Sequence, residues 1–145
     1  MGKLIGIATR VKTRAKMDTH SFSEITFKRG VGNDSRGLIQ GNRQVTVLSE
    51  EDWKIALNEI NSEANWTTRR ANLLVKGVSL HNTKGKILTI GEVKLEIMGE
   101  LNPCGRMDEQ VKGLTNALLP NWRGGVKCKI LTEGEVKVGD SLEIN

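Results

Sequence analysis

Sulfur is scarce in this sequence of 145 residues, which holds only two cysteines, Cys104 and Cys128. Two cysteines cannot form the disulfide framework that stabilises small exported domains. Neither cysteine stands at a spacing from the other, or from His20 and His81, that is typical of a zinc site. The sequence therefore gives no support to a disulfide scaffold or to a site for a bare metal ion.

Aromatic residues and long apolar runs are also scarce. The chain has three tryptophans, two phenylalanines and no tyrosine, which leaves few side chains on which nucleic-acid bases could stack. No apolar run approaches the ~20 residues that a membrane helix needs. The start of the sequence, MGKLIGIATR, has too short an apolar stretch for a secretory signal peptide. We therefore expect a cytoplasmic protein with no membrane partner, and we rank nucleic acid last among the partners considered.

The composition is that of an ordinary globular domain with a mild basic excess. Hydrophobic residues make up 37% and charged residues 27% of the chain, and 22 basic against 17 acidic side chains give a net charge of +5. A length of 145 residues predicts a single domain over residues 1–145. The positive charge favours an anionic partner, such as a phosphorylated cofactor, without identifying it.

Sixteen glycines and many short alternating apolar patterns predict a mainly β fold with short helices, of the α+β class. Two hairpins are predicted in the second half of the chain. The first spans residues 86–98 and has Gly91-Glu92 at its turn, and the second spans residues 126–144 and bends at Glu133-Gly134. Further strands are predicted at residues 3–11, 22–27 and 43–49.

Two amphipathic helices are predicted between the strands. Ser49 and Asp52 stand at the spacing of a capping box, and apolar residues follow at helical spacing, which predicts a helix over residues 50–61. A second helical pattern begins at Met107 and continues to Leu118.

The two cysteines differ in their surroundings. Cys128 lies on the apolar face of a predicted strand, where a thiol packs as a small hydrophobic residue. Cys104 follows a proline in the segment NPCGRM, just before a predicted helix and close to Arg106. Backbone N–H groups and a guanidinium both favour a thiolate. Cys104 is therefore a candidate reactive sulfur, and a packing cysteine in a loop is the alternative.

Arginines mark two glycine-bounded segments in the middle of the chain. GVGNDSRG, residues 30–37, contains Asp34 and Arg36, and NWTTRRANLLVKG, residues 65–77, contains Arg69 and Arg70. Loops of this composition suit a phosphate or another oxyanion, and solvated surface turns are the alternative. No Walker motif and no dinucleotide-binding glycine motif occurs.

In their order along the chain, these segments resemble a MOSC domain, the family named after the C-terminal domain of molybdenum cofactor sulfurase. The resemblance covers roughly residues 3–145 and rests on six segments: GVGND (30–34), RQVTVL (43–48), RRANLLVKGV (69–78), KILTIGEVKLEI (86–97), NPCGRM (102–107) and CKILTEGEVKVGDSLEI (128–144). It implies a small stand-alone member of the family with a closed β-barrel.

The resemblance also implies a function for the cysteine of the Pro-Cys loop. Cys104 would carry sulfane sulfur as a persulfide or contact the molybdenum of molybdopterin, the pterin of the molybdenum cofactor. By the same resemblance Asp34, Arg70 and Asn72 would belong to the cofactor pocket. The arginine-containing segments themselves add Arg36, Arg69 and Arg106 as candidate cofactor-binding residues. The chain departs from the usual loop Gly-Val-x-Gly-Asp-Arg-His, because Asn33 replaces the second glycine and Ser35-Arg36 replace Arg-His.

Three functions follow as hypotheses. The first is a module that binds molybdenum cofactor or carries sulfur for cofactor maturation, supplied by a pyridoxal-phosphate cysteine desulfurase, because these 145 residues contain no such domain. The second is a molybdenum-dependent reductase of N-hydroxylated compounds that uses an external electron-donor protein. The third is a basic β-barrel that binds nucleic acid. Whether the chain is an enzyme stays open at this point; as one, it would be sulfurtransferase-like or an oxidoreductase.

Overall fold

The structure is a computed structural model that describes residues 2–12 and 14–145. These residues form eleven strands and three short α-helices. The strands are β1 Gly2–Thr9, β2 Asp18–His20, β3 Phe22–Thr26, β4 Gly30–Val31, β5 Val45–Ser49, β6 Leu73–Lys76, β7 Ile87–Ile90, β8 Val93–Glu100, β9 Val126–Thr132, β10 Gly134–Lys137 and β11 Ser141–Ile144. The helices are α1 Glu50–Glu59, α2 Arg106–Gln110 and α3 Leu114–Leu118. Three single 3-10 turns lie at Ser35–Leu38, Trp66–Arg69 and Pro120–Trp122.

Seven of these strands close into a barrel. They follow the order β11-β7-β8-β9-β5-β6-β1, and β1 pairs back to β11 through Gly2 and Leu142. Only β5 and β6 run parallel, and β2 extends the sheet beyond β1. Closure pairs the edge strands that an open sheet would expose. The predicted mainly β fold with a closed barrel is therefore confirmed.

The first predicted hairpin is confirmed and the second is wrong in its pairing. β7 and β8 pair around the Gly91-Glu92 turn, with Ile90 opposite Val93. In contrast, β10 does not pair with β9 and instead pairs with β3 in a separate sheet of β10, β3 and β4. The reason is that β8 and β5 already occupy the two edges of β9. A chain that bends after β9 must therefore leave the barrel wall.

The helix predictions had different outcomes. Helix α1 lies within the predicted range, and the Ser49 hydroxyl caps it by accepting a hydrogen bond of 3.2 Å from the Asp52 N–H. The second predicted helix is divided into α2 and α3. Gly113 interrupts it with a φ of +86°, a conformation that glycine adopts without strain. The Asp108 carboxylate then accepts a 2.9 Å hydrogen bond from the N–H of Thr115.

Two apolar clusters stabilise the fold. One fills the barrel, and the other packs α1 and α3 against β5 and β6. Cys128 lies in the first cluster and is fully buried, and this burial raises the pKa of its thiol far above the ordinary value. Its predicted packing location is therefore confirmed. Among the described residues, no helix has the length and apolar character needed to span a membrane.

Candidate functional site

Seven arginines line a cavity of about 340 Å³. This volume lies near the lower end of the roughly 300–1,000 Å³ typical of small-molecule sites. The walls come from five parts of the chain that the barrel brings together: the segment after β1, the turn before β5, β5 itself, the turn before β6, and the segment from the end of β8 through α2. The lining residues are Arg10, Arg14, Arg36, Arg43, Thr46, Arg69, Arg70, Leu101, Cys104, Arg106, Met107, Glu109 and Gln110.

The basic residues of the cavity lining are all arginines. Seven of the nine arginines in the sequence line this cavity, whereas none of the 13 lysines, all of which lie within the described residues, does so. The lining contains a single carboxylate, that of Glu109. The two ion pairs found within residues 2–12 and 14–145 lie elsewhere and leave the cavity arginines without a carboxylate partner. Guanidinium groups remain charged at neutral pH and bind oxyanions through paired N–H donors, so the cavity is suited to an anion.

Cys104 is exposed and contributes to the cavity lining. Its loop is fixed at both ends by hydrogen bonds. At the start, the N–H of Leu101 donates to the Gly125 carbonyl at 2.8 Å. At the end, the Cys104 carbonyl accepts hydrogen bonds of 3.0 Å from the N–H of Met107 and of 3.0 Å from the Thr115 hydroxyl. The thiol is therefore held in a definite place on the cavity wall while its sulfur remains accessible.

Arg69 ties the cysteine loop to the barrel. The side chain is only 6% exposed, and it donates hydrogen bonds from Nε to the Gly124 carbonyl at 2.9 Å and from Nη2 to the Leu101 carbonyl at 2.7 Å. Burial, together with the charge of Arg43, lowers the pKa of Arg69 to about 10, although the nearby Cys104 opposes this shift. Arg69 therefore still carries its charge at neutral pH.

The third nitrogen of Arg69, Nη1, is available to a ligand. It donates no hydrogen bond to any described residue, and none of the buried side-chain polar atoms in the described part of the chain lacks a partner. Arg69 also lines the cavity, which makes Nη1 the nitrogen of this side chain that is free to bind a ligand there. One side chain thus positions the Cys104 loop and presents a donor to the same space.

Asp34 lies behind the cavity wall. It is 2% exposed, and its carboxylate accepts hydrogen bonds from the backbone N–H of Arg10 at 2.8 Å and of Arg36 at 3.2 Å. Burial lowers the pKa of Arg10, as do the charges of neighbouring arginines, whereas Asp34 raises it. Burial also lowers the pKa of Arg70, and Asp34 again acts in the opposite direction. Asp34 therefore positions two arginine backbones and offsets part of the cavity charge.

Arg70 and Asn72 differ in where their side chains lie. Arg70 adopts a left-handed backbone conformation with a φ of +67°, lines the cavity and donates a hydrogen bond to the Ala15 carbonyl. The Asn72 side chain is buried between strands, where its oxygen accepts from the N–H of Thr46 at 3.1 Å and its nitrogen donates to the Ala8 carbonyl at 3.2 Å. Asn72 thus links β1, β5 and β6, and it is not part of the lining.

The structure separates the predicted site residues into two groups. Five lie together in the cavity wall: Arg36, Arg69, Arg70, Cys104 and Arg106. Asp34 and Asn72 stand behind the wall, with their polar groups engaged in hydrogen bonds within the fold. Sequence reasoning missed three further lining arginines, Arg10, Arg14 and Arg43. No local signal distinguishes them, because Lys12 and Lys16 alternate with Arg10 and Arg14 after β1.

A bare metal ion has no candidate site of three ligands among the described residues. No group of three histidine, cysteine or acidic side chains in this part of the chain could hold one. Cys104 is the single thiol in the cavity lining, and Met107 adds a thioether.

Comparison with known proteins places the chain in a family. Its fold is similar to that of the YuaD protein from Bacillus subtilis, with a TM-score of 0.84 at 17% sequence identity over 99% of this chain and 96% of that one. It is also similar to YiiM from Escherichia coli, with a TM-score of 0.73 at 15% identity over 99% and 69% of the two chains. No curated protein matches the sequence. The sequence model of the MOSC domain matches residues 18–143, and the chain therefore belongs to the MOSC domain family.

Proposed function

We propose that this MOSC domain binds molybdenum cofactor in its arginine-lined cavity and carries sulfane sulfur on Cys104 for cofactor maturation. One observation carries the proposal: seven of the nine arginines, and no lysine of the described chain, surround an exposed thiol. Solubility alone would require no such selection of arginine, whereas bidentate binding of an oxyanion would.

The residues of the cavity suit the two chemical parts of molybdenum cofactor. Arg36, Arg70 and Arg106 present guanidinium groups that suit the phosphate of the pterin. Cys104 supplies a soft sulfur donor of the kind that molybdenum accepts. When bound, the cofactor would supply a redox-active metal centre whose sulfur or oxygen ligands can be exchanged.

The same residues suit a persulfide at Cys104. A persulfide is an anion at neutral pH, and the surrounding guanidinium groups stabilise negative charge on its outer sulfur. Exposure of the thiol gives a donor and an acceptor access to it. Arg69 holds the loop, so the loaded sulfur would occupy a fixed position in the cavity.

The test is to purify the full chain from a molybdenum-replete host and to measure bound molybdenum, bound pterin and the intact mass. We expect pterin with molybdenum, or a mass gain of one sulfur atom after incubation with a cysteine desulfurase and cysteine. Cys104→Ser should abolish the gain of sulfur and retain pterin. Arg36→Gln should weaken pterin binding by about tenfold, because one charge-assisted hydrogen bond is lost. Arg29→Gln is the matched control, since Arg29 is exposed and lies outside the lining.

Absence of both pterin and a Cys104-dependent gain of sulfur, in a correctly folded protein offered the desulfurase, would contradict the proposal. Turnover of N-hydroxylated compounds with a reconstituted electron-donor chain would instead assign the reductase activity. That outcome would keep the same cavity and give Cys104 the role of a metal ligand.

A further inference from the structure

We propose that Cys104 can take its sulfur directly from thiosulfate, a small oxyanion that carries a sulfane sulfur. The proposal rests on the persulfide-carrying role of Cys104 proposed above and adds a substrate class to it. It assigns to this chain a sulfurtransferase step that requires no desulfurase partner.

The charge of the cavity carries this inference. A thiolate and a thiosulfate dianion repel each other, so in open water they meet slowly. Three of the seven arginines suit the pterin phosphate, and the other four still exceed the one carboxylate of the lining and the single negative charge of a thiolate or persulfide. A cleft lined by charge of one sign raises the local concentration of the opposite ion and brings like-charged reactants together. The excess of arginine is therefore explained by a donor that brings two negative charges to the thiol.

Arg43 and Arg69 line the same cavity as Cys104 and are the residues we assign to the other end of such a donor. The pKa of Arg43 is lowered by burial and by the charge of Arg36, and Cys104 acts in the opposite direction, as it does at Arg69. Negative charge on Cys104 therefore favours the charged form of both guanidinium groups, which agrees with their shared place in the cavity lining. Nη1 of Arg69 has no partner among the described residues, and the side chain of Arg43 donates no hydrogen bond to them. These donors suit the sulfonate oxygens while the outer sulfur faces Cys104.

The chemical step balances without an added oxidant or reductant. The Cys104 thiolate attacks the outer sulfur of thiosulfate, and a new S–S bond forms between Sγ and that sulfur. The S–S bond of thiosulfate breaks, and its electron pair leaves with sulfite. The thiolate and the dianion thus become a persulfide anion and a sulfite dianion, so the total charge is unchanged. Guanidinium groups that bind the sulfonate also stabilise the charge that develops on the departing sulfite.

The experiment compares three sulfur donors on the reduced full-length chain: thiosulfate, the neutral donor dimethyl trisulfide, and a cysteine desulfurase with cysteine. The intact mass reports the gain of one sulfur at Cys104, and a sulfite assay reports the leaving group. We expect thiosulfate to load Cys104 with release of one sulfite per sulfur gained. Sulfate should slow this loading by competing for the arginines, and Cys104→Ser should show neither signal.

Variants at Arg43 test the role of charge. Arg43 is exposed, so its substitution should leave the fold intact. Arg43→Gln should slow loading from thiosulfate by about tenfold, since one charge-assisted contact is lost. The same variant should change loading from the neutral trisulfide by less than about threefold, because that donor presents no anion. With thiosulfate, Arg43→Lys should load at a rate between those of the unmodified protein and Arg43→Gln. Arg29→Gln should match the unmodified protein with both donors.

The outcomes separate this inference from the proposed function. Loading by the desulfurase or the trisulfide, with none from thiosulfate, would overturn the inference and leave the persulfide role intact. Loading from thiosulfate that Arg43→Gln and sulfate do not change would also overturn it, because the cavity charge would then play no part. Failure of all three donors to load Cys104 would remove the persulfide role itself.

Discussion

The buried carboxylate of Asp34 gives the most direct test of how the cavity is held together. Asp34→Asn keeps the shape of the side chain but replaces one acceptor oxygen with an NH2 group. The carboxylate accepts from two backbone N–H groups, of Arg10 at 2.8 Å and of Arg36 at 3.2 Å. An asparagine can accept from one of them and must point its own donor at the other. The substitution therefore removes one hydrogen bond and leaves a buried N–H without an acceptor.

The expected cost follows from these contacts. A hydrogen bond to a charged group contributes about 1.5–3 kcal/mol to stability. Loss of the negative charge also leaves Arg10 and Arg70 without the group that raises their pKa. We therefore expect Asp34→Asn to lower the free energy of unfolding by about 2–3 kcal/mol. In a domain of this size that corresponds to a fall in Tm of roughly 6–10 °C.

Urea unfolding followed by tryptophan fluorescence, together with calorimetry, would measure both quantities. Asp18→Asn is the matched control, because Asp18 is exposed on β2 and its carboxylate accepts no hydrogen bond from the described residues. It should stay within about 0.5 kcal/mol of the unmodified protein. Sulfate should stabilise Asp34→Asn more than the unmodified protein, since an anion replaces the missing negative charge near the arginines. Equal unfolding free energies of Asp34→Asn and Asp18→Asn would refute this account. So would a difference in unfolding free energy between Asp34→Asn and the unmodified protein that grows in sulfate.

Three further predictions concern the loop support, the cavity charge and the start of α1. Gly124→Ala should lower the free energy of unfolding in urea by about 1–3 kcal/mol, because a Cβ there would lie 2.8 Å from a backbone carbonyl oxygen. Gly105→Ala is the control and should be neutral, because a Cβ there meets nothing within 4 Å. In Cys104→Ser protein, calorimetric titration should show sulfate affinity that is constant from pH 7 to 9 and falls near the Arg69 pKa of about 10; an earlier fall would contradict this. Burial alone would raise the pKa of Glu51, but hydrogen bonds from backbone N–H groups and a serine hydroxyl lower it below the ordinary 4.5. Its contribution to stability is then present above pH 4.5 and lost as the pH falls through the folded pKa, so Glu51→Gln should lower Tm more at pH 7 than at pH 3.

The elements that the sequence predicted correctly depend on contacts between near neighbours. Helix α1 begins where Ser49 caps it, and the β7–β8 hairpin closes over the two-residue turn Gly91-Glu92. In both, the residues that determine the structure lie within about ten positions of each other, so a pattern in one segment is sufficient. The family resemblance supplied the closure of the barrel, which no single segment encodes.

The errors arise where distant segments decide. The alternation of residues 126–144 is that of a hairpin, and only the occupation of both edges of β9 by β8 and β5 sends β10 to β3. The residues from Met107 to Leu118 keep helical spacing, yet Gly113 adopts a positive φ, and a Cβ there would lie 3.2 Å from Ile60, the residue that follows α1. Tertiary packing overrides a local pattern in both cases.

The site shows the same division between local and distant information. Arg36, Arg70, Cys104 and Arg106 each stand in a segment that has its own sequence signal. Three other lining arginines have no such sequence signal, because they meet the rest of the cavity only when the barrel closes. They are Arg10, Arg14 and Arg43. Their location depends on strand pairing between residues far apart in the chain. No local pattern could have placed them.

The two groups of site residues should respond differently to substitution, and this difference decides how experiments on the cavity are interpreted. A change at Asp34 or Asn72 removes hydrogen bonds within the fold, so it should lower stability first and affect the ligand only indirectly. A change at an exposed lining residue such as Arg43 should leave stability unchanged and weaken the anion contact. Arg69 belongs to both groups, since two of its nitrogens hold the Cys104 loop and the side chain also lines the cavity. Loss of function in an Arg69 variant therefore assigns no ligand contact unless the unfolding free energy is measured on the same protein.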